Sequence, residues 1–178
     1  AGDWRPSVEA FARLLDPESA PDEPGRPYPF FLASPLDGDP PALGALDDWL
    51  AEWKWDGIRA QLIRRGGSVL LWSRGEELIT DRFPEVRDAA HHLPEGTVVD
   101  GEILAWSEDA PLPFGELQRR IGRKKVGAKL LREVPCALMC YDLLERAGSD
   151  WRKRPLARRR EQLASMLADS GAPGLILS

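Results

Sequence analysis

Glu52-Trp53-Lys54-Trp55-Asp56-Gly57-Ile58-Arg59 is the stretch around which the rest of the chain is organised. It has the form K-x-D-G-x-R, a lysine presented in a turn between two strands, and Lys54 is read as a nucleophile. A lysine amine attacks only when unprotonated, and a reference pKa of about 10.4 leaves little free amine at neutral pH. A site that uses one lowers that value by desolvation or by nearby positive charge, such as a metal ion. In an extended segment Trp53 and Trp55 share the face opposite Lys54 and are expected to pack the scaffold beneath it. Asp56 and Gly57 supply turn chemistry, Gly57 tolerating backbone angles that other residues resist. Arg59 offers a planar fork of donors suited to phosphate or ribose oxygens. A solvated lysine beside a turn gives the same short string, so the surrounding chain decides.

Downstream, Ile58–Arg65, then Gly66-Gly67, then Ser68–Ser73 predict a β-hairpin with a tight glycine turn. Pro84–Leu93 predicts a helix with Pro in its first turn, and His91-His92 at its end are expected on the surface rather than as metal ligands. Thr97–Trp106 predicts a β-branched strand in which Gly101 marks a close backbone approach. Further helices are predicted over Phe114–Ile121, Lys124–Arg132 and Pro155–Leu167, with strands over Cys136–Leu143 and Leu175–Leu177. Strands and helices mix without the alternation of a doubly wound sheet, which favours α+β with mainly antiparallel sheets and flanking helices. Upstream, Ser7–Leu15 has helix-start chemistry with apolar Val8, Phe11, Leu14 and Leu15, and the Pro-, Asp- and Glu-rich segment from Asp16 to Pro29 has linker composition. The expected division is residues 1–29, the end of a preceding unit plus linker, and a domain over residues 30–178.

A chain of 178 residues is long enough for one domain with a full core. No apolar run is long enough to span a membrane, and Ala1-Gly2-Asp3-Trp4 carries no secretory signal, so a cytoplasmic location is expected. The missing Met fits a processed chain or a piece of a longer one. Cys136 and Cys140 lie in one predicted strand, about 13 Å apart, too far for a disulfide and consistent with two buried thiols. The net charge of −5 hides an asymmetry. Residues 1–50 carry three Arg against ten Asp and Glu, whereas residues 111–160 carry fourteen Lys and Arg against five Asp and Glu. That local excess predicts a basic surface within an acidic chain.

Four stretches now stand in order: Glu52–Arg59, Ser73-Arg74-Gly75, Val99-Asp100-Gly101-Glu102-Ile103 and Tyr141-Asp142-Leu143-Leu144. They resemble motifs I, Ia, III and IIIa of the ATP-dependent DNA ligases. These belong to the covalent nucleotidyltransferase superfamily, which also holds RNA ligases and mRNA capping enzymes. The resemblance covers about residues 28–178, and residues 4–15 resemble the last helix of the N-terminal DNA-binding domain in bacterial multidomain ligases. It implies the nucleotidyltransferase fold, incomplete at its C-terminus: motif IV, the motif V lysine pair and an OB-fold domain are absent from the sequence. Such a chain is expected not to seal nicks by itself.

The resemblance also assigns roles. Lys54 attacks the α-phosphate of ATP to give lysyl-AMP, Mg²⁺ assisting, and the AMP passes to the 5′-phosphate of nicked double-stranded DNA for sealing in repair, replication or recombination. Glu52 would accept from the adenine amino group, Arg59 would meet ribose or phosphate, and Tyr141 would stack on the base. Glu102 would hold the ribose hydroxyl or a metal-bound water; a charge in an apolar strand needs a partner or a cleft in any case. Asp56, Gly57 and Asp100 are supporting residues. Arg74, Arg119, Arg123, Lys124 and Arg154 are expected to contact DNA, from two basic clusters that also contain Arg120, Lys125 and Lys129, and Arg152, Lys153, Arg158, Arg159 and Arg160. Surface roles for Glu52, Arg59 and Arg74, and a core role for Tyr141, are the alternatives. A monomer is expected. The rival readings are an RNA ligase or capping-type nucleotidyltransferase, and a non-catalytic nucleic-acid-binding module.

Overall fold

The computed structural model describes residues 7–8, 25–123 and 126–178; the expected helix over residues 9–15, and with it Lys124 and Lys125, lies outside them. Strands β1 (Ile58–Arg65) and β2 (Ser68–Ser73) form the predicted hairpin. Gly66 and Gly67 turn it with φ of 57° and 73°, the left-handed pair that a two-residue hairpin turn requires. Strand β3 (Thr97–Ser107) pairs antiparallel with β1 on one side and with β5 (Cys136–Arg146) on the other. Short β4 (Ala110–Pro111) and β6 (Ser149–Asp150) extend β3 and β5 as hairpins, and β7 (Leu175–Leu177) joins β5 in parallel. The result is the expected α+β architecture with a mainly antiparallel sheet.

Among the described residues, α1 (Pro84–Ala90), α2 (Phe114–Ile121), α3 (Ala128–Glu133) and α4 (Leu156–Ser170) flank it. Helix α1 stops three residues before the predicted end, because Leu93 precedes Pro94 and a residue before proline avoids helical angles. Helix α3 begins at Ala128 rather than Lys124, after Gly127 in extended backbone. Helix α4 runs on to Ser170 and ends where Gly171 takes the left-handed conformation that caps helices. Strand β5 exceeds its predicted end at Leu143, since Leu144 and Glu145 continue into buried positions. Among the described residues no helix is long and apolar enough to cross a membrane.

Alternation divides the sheet into two faces. Ala60, Leu62, Leu71, Val99, Ile103, Leu138, Cys140 and Leu143 form one face, packed against Val86, Leu117, Leu130, Leu163 and Met166 of the helices. Both cysteines are buried there as free thiols. The opposite face begins apolar, with Ile63, Val98 and Leu144 under Tyr28, and becomes polar at Gln61, Asp100, Arg59 and Glu102. Two register shifts between β3 and β5 leave Tyr141 and Leu144 without a pairing partner. Each bulge puts two consecutive β5 residues on the open face and returns the next to the core side. At Gly101 a Cβ would lie 2.7 Å from the Met139 carbonyl oxygen, the close approach expected of that glycine.

A strap upstream of the sheet fastens onto the open face. The Gly25 carbonyl accepts from the Trp72 indole at 2.7 Å, and Tyr28 and Gln61 exchange two hydrogen bonds of 2.8 and 2.9 Å. The Tyr28 hydroxyl donates to Glu145 at 2.7 Å, and the guanidinium of Arg65 also binds that carboxylate. Buried Gln61 and Glu145 are thereby satisfied, as polar groups removed from water must be.

Candidate active site

Residues 51–57 run in irregular backbone ahead of β1, so Lys54 sits before the hairpin and not between two strands. Without a strand partner there is no pleat to sort neighbouring side chains. Trp53 consequently is 80% exposed, and the expectation that it packs the scaffold is wrong. Trp55 does pack: its indole donates to the Ser178 hydroxyl at 2.9 Å and meets Trp106 edge-on at 6.4 Å. Gly57 is held close against β3, where a Cβ would run into the Ile103 carbonyl oxygen, and its N–H donates to Glu102 at 3.2 Å. That contact fixes the turn carrying Lys54 to the sheet.

An open groove of about 970 Å³ lies on this face, lined by Glu52, Lys54, Arg59, Arg74, Glu102 and Tyr141 among others. All four sequence stretches therefore contribute to one concavity. Arg59 is one of its walls. Its guanidinium grips Asp100 through two contacts, 2.8 Å and 3.3 Å, and donates to the Phe31 carbonyl. It lies between the rings of Phe30 and Tyr141, at 5.6 and 5.7 Å. Much of its fork is thus committed to the protein. The Arg74 N–H donates to the Arg59 carbonyl at 3.0 Å, which joins the end of the hairpin to the site while leaving the Arg74 side chain exposed.

Burial dominates the electrostatics. It pushes the Glu102 carboxyl up to about 6, opposed by the Gly57 N–H and by Arg59. Burial likewise raises Asp100 above the usual carboxylate range, against the pull of Arg59, and raises Tyr141 far above an ordinary phenol. The Tyr141 hydroxyl, 3.4 Å from Asp100, stays neutral. Burial raises Glu52 as well; Arg160, 3.6 Å away, opposes this, and Asp142 adds to it. Among the described residues no group of three His, Cys, Asp or Glu converges on a metal position. Three carboxylates, Glu52, Asp56 and Glu102, are among the residues that line the groove, and Mg²⁺ commonly takes one or two carboxylates together with substrate phosphates.

The basic clusters separate into two kinds. Arg120 is wholly buried, paired with Glu85 at 2.7 and 3.1 Å and donating to the carbonyls of Val134 and Arg82. It joins α2 to α1 and is no DNA contact; the run of basic residues concealed a structural clamp. Arg159 pairs with Asp142 at 2.7 and 3.0 Å, and Arg160 turns inward to Glu52. Arg119, Arg123, Arg154 and Lys153 remain exposed, Arg119 in ion pairs with Glu116 and Glu133 and Arg154 over the Trp151 ring. Sequence reasoning missed Arg160, Asp142 and the Phe30-Phe31 strap as parts of this region. For Arg159 and Arg160 a signal existed: they precede buried Leu163 by four and three residues, which places them beside the inward face of α4.

Known proteins with similar sequences and folds point to one family. A family described as ATP dependent DNA ligase domain matches residues 31–175. A probable DNA ligase of Opitutus terrae is 43% identical over 143 residues, covering 79% of this chain and 14% of that protein. A probable DNA ligase of Koribacter versatilis is 39% identical over 150 residues, covering 84% of this chain and 26% of that protein. The chain thus spans about a quarter or less of the length of these two relatives. Among solved structures, a mycobacterial DNA ligase D complexed with ATP and MES superimposes with a TM-score of 0.55 at 28% identity, covering 71% of this chain and 38% of that one.

Proposed function

The chain belongs to the ATP-dependent DNA ligase domain family, and from that premise we propose that it is the adenylation domain of a DNA ligase acting on nicked duplex DNA. The observation that carries this reading is the convergence of Lys54, Glu52, Arg59, Glu102 and Tyr141 on one groove. Lys54 Nζ, as the free amine, attacks the α-phosphorus of ATP. An N–P bond forms as the bond to the bridging oxygen breaks, and pyrophosphate leaves with the electron pair. The AMP then moves to a DNA 5′-phosphate, from which a 3′-hydroxyl displaces it. Such phosphoryl chemistry rests on positioning and charge stabilisation more than on proton transfer.

In the groove, Tyr141 offers a neutral ring for stacking and Glu52 a carboxylate for the adenine amino group. The Arg59–Asp100 pair keeps a cation facing ribose or phosphate, and Glu102 holds the Lys54 turn. Glu102 would help hold Mg²⁺, which would supply charge neutralisation for the phosphates. Arg74, Arg119, Arg123, Lys124 and Arg154 are assigned to the DNA backbone, with residues 1–29 as the end of a preceding unit and a linker whose last part, Gly25 to Tyr28, is fastened to the sheet. The chain is taken to work as a monomer in the cytoplasm.

Intact mass after incubation with ATP and Mg²⁺ tests the reading. A gain of one AMP is expected in the parent and none in Lys54→Ala, with thermal stability changed by less than about 0.5 kcal/mol because Lys54 is exposed. An adduct that survives the substitution would sink the assignment.

A further inference from the structure

The three consecutive arginines Arg158, Arg159 and Arg160 open a helix outside the groove, yet they end in three different environments. Arg158 faces water and pairs with Glu161 at 2.5 Å. Arg159 neutralises Asp142, the carboxylate whose charge disfavours ionisation of Glu52. Arg160 is largely buried, its side chain 16% exposed, and reaches two residues that line the groove without itself lining it. One nitrogen donates to the Tyr141 carbonyl at 3.1 Å and the Cys140 carbonyl at 3.4 Å, and lies 3.6 Å from the Glu52 carboxylate. Its other terminal nitrogen donates to the Ser178 carbonyl. Glu52 stands in irregular backbone with no strand to place it, and among the described residues Arg160 is its ion-pair partner.

We propose that Arg160 is a positioning residue for base selection, fixing the Glu52 carboxylate and the Tyr141 backbone at one spacing. An ionised carboxylate only accepts hydrogen bonds. Held at a set distance from the stacking ring, it meets a purine 6-amino donor and repels a 6-keto acceptor. Without Arg160, the carboxylate loses its anchor and faces Asp142 through a weaker screen of positive charge. Arg159 acts in the same direction by keeping Asp142 paired.

This inference rests on the nucleotide-binding reading of the groove, and its test separates the two. Equilibrium binding of ATP and of purine riboside triphosphate, which lacks the 6-amino group, is measured by tryptophan fluorescence alongside lysyl-nucleotide formation by mass. In Arg160→Gln, ATP binding is expected to weaken about tenfold, as loss of a charge-assisted contact commonly does, while the 6-H analogue changes less than about twofold. Arg160→Lys recovers part of the discrimination. Combining Arg160→Gln with Glu52→Gln adds nothing to the loss from Glu52→Gln alone, because the two act through one contact. Equal weakening of both nucleotides, or additive losses in the double variant, overturns the proposal. Should Arg160→Gln unfold, Arg160→Lys and Glu52→Gln decide the matter through the ratio of the two affinities. A parent that binds neither nucleotide refutes the groove assignment and the proposal with it; a parent that binds ATP without forming an adduct refutes only the chemistry.

Discussion

Arg120 on the helical face of the sheet and Arg59 on the open face are each gripped by a carboxylate, and the two pairs are treated differently by their surroundings. On the helical face Arg120 is wholly buried, and Glu85 and two carbonyl groups take up its terminal nitrogens, leaving only Nε without a partner. On the open face Arg59 also binds its carboxylate, Asp100, through two nitrogens, here Nε and Nη2, but its side chain keeps 20% exposure at the wall of a groove. A closed face admits a charge only as a clamp, since an ion removed from water needs nearly all its donors met. An open face can keep a paired arginine whose remaining edge still meets solvent or ligand. The same residue type therefore serves the fold in one place and a site in the other.

On that contrast, Arg120→Ala is the most damaging change for stability. It removes the largest fully buried side chain, takes the ion-pair partner from Glu85 and strips a donor from two carbonyls, for an expected loss of about 3–5 kcal/mol. Urea unfolding gives the number; a loss below about 1 kcal/mol would erase the distinction between the faces. Asp100→Asn comes next, at about 1–3 kcal/mol, because water can reach the released Arg59 guanidinium. A cost matching that of Arg120→Ala would show the open face to be as closed as the other. Its second effect, weaker ATP binding through a misdirected Arg59, is read by the same titration.

The smallest effect concerns Glu102, whose carboxyl rises from 4.5 to about 6 on folding. The folded chain holds this proton more tightly than the unfolded chain. Its contribution to stability is therefore complete below about pH 4.5 and is lost as pH rises through about 6. Partial solvent access reduces the expected loss to about 1 kcal/mol. Glu102→Gln should flatten the stability curve across that window. An unchanged slope would mean that Glu102 is more solvated than the groove geometry implies.

Local chemistry was legible where it is short in range. The glycine hairpin turn, the close approach at Gly101, the exposed His91-His92 and the starts of β3, β5 and β7 follow from residue type and alternation. The four motifs that meet in the groove were legible through the family resemblance; β1 and β3 pair in the regular register of alternation, whereas β5 joins β3 through two bulges. Helix α1 ran short and β5 ran long for reasons set by neighbours: a following proline, and buried partners for Leu144 and Glu145.

Residue order was enough for the fold class, the family and the stretch that carries Lys54. Which charges are free became visible only once the chain had folded. Arg120 meets Glu85 across 35 residues and Arg59 meets Asp100 across 41, and no local pattern distinguishes such an arginine from a solvated one. The same holds for Trp53, whose exposure depends on whether a strand lies beside it, and for Arg160, whose direction depends on where α4 docks. Backbone preference acts over a few residues, whereas the pairing of a charge is settled by whatever the folded chain brings within about 4 Å of it.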